Sequence, residues 1–190
     1  MKSIGILGGT FNPIHNGHLA IAQAVRDQLK LERVLFIPCF KPPHKSTQAV
    51  IAAKHRLAMI KAAIRDNKNF ELCDLEIKRK GRSYSIDTIE ELKQQYPKKT
   101  KFHLIVGADM LKGLKNWRRI KDLSRLVKFV AVDRKGYAGG KAHFPLRKLS
   151  VLDLGISSSY LRSNIKRGQS VRYFLPEKVN SYIKKHRLYR

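Results

Sequence analysis

Gly8-Gly9-Thr10-Phe11-Asn12-Pro13-Ile14-His15-Asn16-Gly17-His18 follows a short apolar run, Ile4-Gly5-Ile6-Leu7, and opens a segment with helical periodicity. Paired glycines lack a Cβ, so a ligand can approach the main chain closely, and free N–H groups there can cradle phosphate oxygens. His15 and His18 are three residues apart and share one face if the turn becomes helical. They would then aim two imidazole donors at a helix N-terminus, a natural anion site. A glycine pair alone marks only a turn. Gly-Gly-Thr-Phe followed by His-x-Gly-His at the first strand-to-helix turn is far more specific.

The chain has 190 residues, most simply one domain (1–190) with length enough for a sizeable core. Cys39 and Cys73 form no C-x-x-C pair, which argues against a disulfide framework or a zinc site and favours a reducing compartment. Residues 1–25 lack a cleavable signal pattern, and no stretch approaches the ~20 apolar residues of a spanning helix. A cytoplasmic protein without membrane attachment is expected. Net charge is the unusual bulk property, with 40 Lys and Arg against 14 Asp and Glu, a formal +26. Residues 111–190 carry 21 of the basic and 4 of the acidic residues. Such a balance suits polyanionic partners, nucleic acid among them. A solvated basic surface that steers ATP and mononucleotides is the preferred reading, since no nucleic-acid-binding motif accompanies the charge.

Apolar runs alternate with amphipathic segments, the pattern of a parallel sheet covered by helices on both faces, an α/β Rossmann-like fold. Strands are expected at Ser3–Leu7, Arg33–Pro38, Phe70–Leu72, Lys101–Val106, Val127–Asp133 and Ser150–Leu154. Ile21, Val25 and Leu29 stripe a first helix, and Ala53, Leu57, Ile60 and Ile64 a second near 50–66. Tyr84–Tyr96 makes a third, and Ser157–Arg167 and Pro176–His186 close the chain as a helical segment (about 156–190) packed on the domain. Arg134–Pro145, with four glycines or prolines among charged residues, reads as an exposed loop. Ligands bind such sheets at the carboxyl ends of the strands, so functional segments should follow strands.

Several do. Pro42-Pro43-His44-Lys45 is a stiff basic loop after the second strand, able to meet phosphate or to be plain surface. Arg82-Ser83-Tyr84-Ser85 opens the third helix with hydroxyls that read equally as N-caps. Gly107-Ala108-Asp109 ends the fourth strand, where a carboxylate can accept from ribose hydroxyls or merely cap the next helix. Trp117, the only tryptophan, is either core or a stacking surface. Arg134 follows the fifth strand and can touch phosphate or solvent. Late in the chain, Gly155-Ile156-Ser157-Ser158-Ser159-Tyr160-Leu161-Arg162 places three serines before a helix, with Arg162 one turn beyond Ser158 on the same face.

With these segments together, the chain resembles the H-x-G-H nucleotidyltransferases, and within them the bacterial nicotinate-nucleotide adenylyltransferases. The likeness spans nearly the whole chain, including the ending Val171-Arg172-Tyr173-Phe174-Leu175-Pro176 to Tyr182-Ile183. That family usually reads Gly-Gly-Thr-Phe-Asp-Pro, where this chain has Asn12. Asparagine keeps a turn-forming oxygen but loses the charge.

The resemblance implies transfer of the adenylyl group of ATP to nicotinate mononucleotide, giving deamido-NAD and pyrophosphate in NAD biosynthesis. It implies catalytic roles for His15, His18, Lys45 and Arg162. ATP contacts are implied at Gly8, Gly9, Thr10, Phe11, His15, His18, Gly107, Asp109, Arg134, Ile156, Ser157, Ser158 and Arg162. Nicotinate-nucleotide contacts are implied at Lys45, Tyr84, Ser85 and Trp117, the carboxylate being met by main-chain N–H groups at the helix start. Ser85 stands where the family usually has Thr, and Lys135 where it has Pro. Mg²⁺ is expected on the triphosphate, held by phosphate oxygens and water, with no metal site in the protein itself.

Two rivals remain within reach of the sequence. A nicotinamide-mononucleotide or phosphopantetheine adenylyltransferase shares the chemistry. A basic nucleic-acid-binding protein on a degenerate scaffold would share the charge, although intact His15, His18 and Arg162 disfavour it. Self-association, as a homo-oligomer, is left open.

Overall fold

The computed structural model describes residues 2–43, 50–133 and 143–190. Strands β1 (Ser3–Gly9), β2 (Arg33–Pro38), β3 (Phe70–Leu72), β4 (Lys101–Gly107), β5 (Lys128–Asp133) and β6 (Leu146–Ser150) form one sheet in the order β3-β2-β1-β4-β5-β6. All neighbours are parallel, with Leu7 of β1 in register with Phe36 of β2 and Ile105 of β4. The order reverses between β1 and β4, which makes their carboxyl ends the topological switch point.

Helices α1 (Asn16–Leu29), α2 (Ala53–Ile64), α3 (Leu75–Arg79), α4 (Ser85–Gln95), α5 (Ile120–Leu126), α6 (Ser158–Lys166) and α7 (Glu177–Lys185) cover the sheet, and a 3₁₀ segment runs over Ala108–Asn116. Alternation along each strand divides the core. Val34, Phe36, Ile105, Val130 and Val132 point to one face and pack with Val25 of α1, Ile60 of α2, Leu161 of α6 and Val179 of α7. Ile4, Ile6, Leu35, Leu104 and Phe129 point to the other and meet Ile86 and Ile89 of α4, Leu111 of the 3₁₀ segment and Leu123 of α5. β1, β2, β4 and β5 are apolar at successive positions because both faces are covered.

The expected sixth strand, Ser150–Leu154, is displaced. The ladder with β5 is made four residues earlier, over Leu146–Ser150, with Leu149 as its buried residue. Val151, Leu152 and Leu154 mimic a strand in composition, but Leu152 is 74% exposed and lies outside the ladder. An edge strand is protected by being short and charged, which the exposed Arg147 and Lys148 supply here. On α2 the buried face is Arg56, Met59, Ile60 and Ile64, not a stripe through Leu57. The short elements α3, the 3₁₀ segment and α5 are too brief, or of the wrong period, to register in a 3.6-residue pattern. Most of the expected loop Arg134–Pro145 lies outside the described residues. Among the described residues no helix is long and apolar enough to cross a membrane.

His103, on β4, is half-buried and in register with Lys128 of β5. Burial, and then the positive charges of Lys128, Arg147 and Lys101, hold its imidazole below the ordinary histidine range. The unfolded chain therefore takes up a proton that the folded protein refuses. Stability present at neutral pH is lost as pH falls below about 6.5 toward the folded value. Urea unfolding at about pH 7.5 and pH 5.5 should show a smaller loss on acidification for His103→Gln than for the unaltered protein. An equal loss in both would remove His103 from the acid response.

Candidate active site

A cavity of about 360 Å³ opens at the switch point, within the size range of small-molecule sites. Gly8 and Gly9 at the end of β1 and Gly107 at the end of β4 form its floor. A Cβ on Gly8 would meet nothing within 4 Å, so that glycine leaves open space where a ligand can lie against the main chain. Gly9 has a different reason. A Cβ there would come within 3.1 Å of the Phe11 ring, which is buried beneath it at a positive φ of 49°. The Phe11 ring meets His18 edge-on, 5.0 Å between centroids.

His15 is the N-cap of α1 and His18 is its third residue. The turn is helical, and their rings stack at 3.7 Å with 28° between planes. His18 lines the cavity, whereas His15 is 2% exposed and lies behind it. A Cβ on Gly17 would come within 3.0 Å of the His15 ring, so the glycine between the histidines makes room for their stack. The main-chain N–H of His15 donates to His18 Nδ1 at 3.3 Å. Nδ1 accepts in that bond, so in the neutral ring the proton sits on Nε2. The Asn16 N–H at the helix start donates to the Phe174 carbonyl at 3.0 Å. That N–H is thereby committed within the protein rather than to an anion.

The loop joining β1 to α1 is braced through its carbonyls. Arg56, 1% exposed on α2, donates to Thr10 O (2.9 Å), Cys39 O (2.7 Å) and Ile51 O (3.3 Å). Burial lowers its guanidinium pKa, and three carbonyl acceptors meet the buried donors. Arg162 donates to Asn12 O at 2.8 Å and Ser158 Oγ to Pro13 O at 2.9 Å, tying α6 to the same loop. Ser157 caps α6, accepting from Tyr160 N. The Asn12 side chain is 3% exposed, and its Oδ1 accepts from the Tyr189 hydroxyl at 2.9 Å. Burial pushes that phenol's pKa well up, so it stays a neutral donor. The role of the side chain here is that of an acceptor, which an amide oxygen fills without a charge.

The far end of the cavity is aromatic. Tyr84 is the N-cap of α4, Ser85 its first residue, and Trp117 follows the 3₁₀ segment. Trp117 packs on the core with one part and lines the cavity with another. No side chain caps α4. Ser83 Oγ instead accepts from Phe40 N at 2.9 Å, and Ser83 N donates to Lys41 O at 2.9 Å, which holds the Pro42–Pro43 turn against the cavity. Asp109 lines the cavity and does not cap the 3₁₀ segment, whose N-cap is Gly107. A Cβ on Gly107 would overlap Asp109 Oδ1, so the Gly-x-Asp spacing lets the carboxylate fold back over the strand end.

Of the sequence-derived residues, Gly8, Gly9, Thr10, Phe11, His18, Tyr84, Ser85, Gly107, Asp109, Trp117 and Ser158 line one cavity. His15, Ile156, Ser157 and Arg162 are not among its lining residues, and Ser157 is exposed. Lys45 and Arg134 lie outside the described residues. Sequence reading missed Arg56, Glu76 and Arg118. Arg56 had a signal, since it falls four before Ile60 and eight before Ile64 on the buried face. Glu76 is buried in the cavity wall and accepts from Thr88 Oγ at 2.7 Å, while Arg79 donates to Thr88 at 2.9 Å. Burial raises its carboxyl pKa against the lowering effect of the Thr88 and Ser83 hydroxyls. No pattern announces such a residue.

A parallel sheet thus carries a glycine-lined cavity at its switch point and a stacked histidine pair at the start of its first helix. Residues 6–164 match the cytidylyltransferase-like family model. A probable nicotinate-nucleotide adenylyltransferase of Bacillus pumilus is 42% identical over 189 residues, covering 100% of this chain and 99% of that one. One of Streptococcus pyogenes is 44% identical over 188 residues, covering 99% of this chain and 89% of its own. The chain belongs to the nicotinate-nucleotide adenylyltransferase family. Its fold is also that of the nicotinic acid mononucleotide adenylyltransferase of Plasmodium falciparum complexed with NaAD, with a TM-score of 0.82 at 20% identity, covering 100% and 98% of the two chains.

Arg56→Met keeps the stem of the side chain and removes the donors to Thr10, Cys39 and Ile51. It should lower unfolding free energy by about 2–4 kcal/mol, because buried carbonyls lose a charged partner. Denaturant unfolding measures this, and a change below about 0.5 kcal/mol would deny the brace.

Proposed function

We propose that this protein transfers the adenylyl group of Mg-ATP to nicotinate mononucleotide, releasing deamido-NAD and pyrophosphate. The observation that carries the reading is the position of His18. Its ring lines the cavity at the strand switch point, the neutral ring carries its proton on Nε2, and Phe11 and His15 fix its plane. Family membership supports the same substrates.

The nucleophile is the phosphate of the mononucleotide. A phosphate monoester has a second pKa of about 6, so at neutral pH it is largely dianionic and needs no general base. Its oxygen attacks the α-phosphorus of ATP, the bond from that phosphorus to the bridging oxygen breaks, and pyrophosphate leaves with the electron pair. The barrier lies in bringing two polyanions into line and in stabilising charge as it shifts. Positioning and preorganised donors lower it.

In this scheme His18 donates to the α-phosphate and the transition state, and His15 orients it. Gly8 lets the phosphates approach the main chain, while Gly9 makes room for the Phe11 ring beneath them. Lys45 neutralises the incoming phosphate, and Arg162, Ser157, Ser158 and Arg134 serve the triphosphate. Tyr84, Ser85 and Trp117 take the pyridine ring, since two aromatic side chains flank that end of the cavity and suit a flat π-system. Mg²⁺ arrives on the triphosphate and offsets its charge, held by phosphate oxygens and water. Among the described residues no three His, Cys, Asp or Glu side chains are grouped to hold a metal. We place the reaction in the cytoplasm, where Cys39 and Cys73 remain free thiols.

Pyrophosphate release from Mg-ATP is the test, run with nicotinate mononucleotide, nicotinamide mononucleotide and phosphopantetheine in parallel. Release at least about tenfold faster with the first supports the assignment, that factor being one unit of 1.4 kcal/mol in transition-state discrimination. Faster release with another acceptor overturns the substrate, and no release with any overturns the chemistry. His18→Ala should lower kcat on the order of 10²–10³-fold, as expected for one preorganised charge-stabilising donor. Unaltered turnover in that folded variant would remove the central role of His18.

A further inference from the structure

We propose that Arg118 is a specificity-determining residue whose side chain receives the carboxylate of the pyridine substrate alongside the main-chain N–H groups at the start of α4. The inference rests on the adenylyl-transfer reading above and names a side chain responsible for its preference for acid over amide.

The charge of the cavity wall is unlike that of the chain. The protein has 40 Lys and Arg, yet among the described residues lining the cavity Arg118 is the only one. Glu76 and Asp109 are the lining carboxylates, so the wall as described offers an anionic ligand a single cationic partner. That partner stands at the aromatic end. The Arg118 guanidinium carbon lies 4.7 Å from the centre of the Tyr84 ring, and Trp117 precedes it in the chain. A pyridine ring taken up between these aromatic groups has its substituents within reach of a long, planar fork.

The guanidinium is placed without being saturated. Its hydrogen bond to Asp87 is 3.4 Å long, and its side chain is 53% exposed. Asp87 belongs to the first turn of α4, so this contact and the Tyr84 ring hold the fork beside the helix start. Five N–H donors in a fixed plane match a carboxylate with two parallel bonds. A carboxamide presents one acceptor and two donors, carries no charge, and cannot accept both. The distinction between the two acceptors is therefore one of charge and of hydrogen-bond direction at the same two atoms.

The substrate carboxylate is unchanged as the distant phosphate reacts, so the contact is equal in ground and transition states. Its loss should then appear in KM rather than kcat. The experiment measures kcat and KM of the whole protein with Mg-ATP and either nicotinate or nicotinamide mononucleotide, for the unaltered chain, Arg118→Gln and Arg118→Lys. For Arg118→Gln, kcat/KM with the acid should fall about ten- to a hundredfold through KM, the range for losing a charge-assisted pair. The amide should change less than about threefold, since it makes no charged pair. Arg118→Lys should recover part of the loss by restoring the charge without the fork.

Equal losses with acid and amide would mean that Arg118 only supports Tyr84 and Asp87, and would overturn the proposal. So would an acid-to-amide ratio unaltered in Arg118→Gln while the unaltered chain turns over the acid. An unaltered chain inactive with both acceptors overturns the adenylyl-transfer reading itself, and this inference with it.

Discussion

The site depends on where the carbonyls of one loop point. Between β1 and α1 the carbonyls of Thr10, Asn12 and Pro13 are each taken by a donor from elsewhere: Arg56 of α2, Arg162 of α6 and Ser158 of α6. With phosphate received here as proposed, the carbonyl lone pairs of this loop must not face the anion. Three external donors engage those oxygens and hold the loop in the curvature that places His15 and His18 at the helix start. The buried cation of α2 and the C-terminal helices are thus part of the site, though neither Arg56 nor Arg162 lines its cavity.

The same economy runs through the glycines. Gly9 serves the Phe11 ring, Gly17 the His15 ring and Gly107 the Asp109 carboxylate, leaving Gly8 as the one in the signature whose absent side chain opens onto space. The H-x-G-H spacing is a packing solution as much as a chemical one. A side chain between the histidines would push the ring behind His18 out of its stack, and His18 would lose the surface that fixes its plane.

Much of this was legible in the sequence, for stated reasons. β1, β2, β4 and β5 were visible because most of their residues are apolar on both faces, and α1, α4, α6 and α7 because each holds a 3.6-residue stripe or a recognisable start. The residues of the two signature motifs could be named, since close backbone approach and helix starts demand particular residue types. Residues that act through tertiary contact were hidden. Arg56 looks like an ordinary basic residue on an amphipathic helix until three carbonyls surround it. Glu76 sits on a helix of five residues, and Arg118 follows a 3₁₀ segment, both below the length at which periodicity speaks. The displaced β6 shows the reverse error, because Leu152 and Leu154 have strand-like composition and solvent around them.

The bonds that close the loop span very different lengths of chain. Arg56 lies 46 residues from Thr10, but the partners of Pro13, Asn12 O and Asn12 Oδ1 lie 145, 150 and 177 residues away. Closure entropy grows only logarithmically with such separations, so the finished protein holds them at modest cost. Synthesis orders events differently. A chain emerging from the ribosome has the last residue of its sheet at Ser150, while the donors for Pro13 and Asn12 come only with Ser158, Arg162 and Tyr189. In chain order the scaffold is therefore complete at Ser150, before any of the residues that brace Asn12 and Pro13.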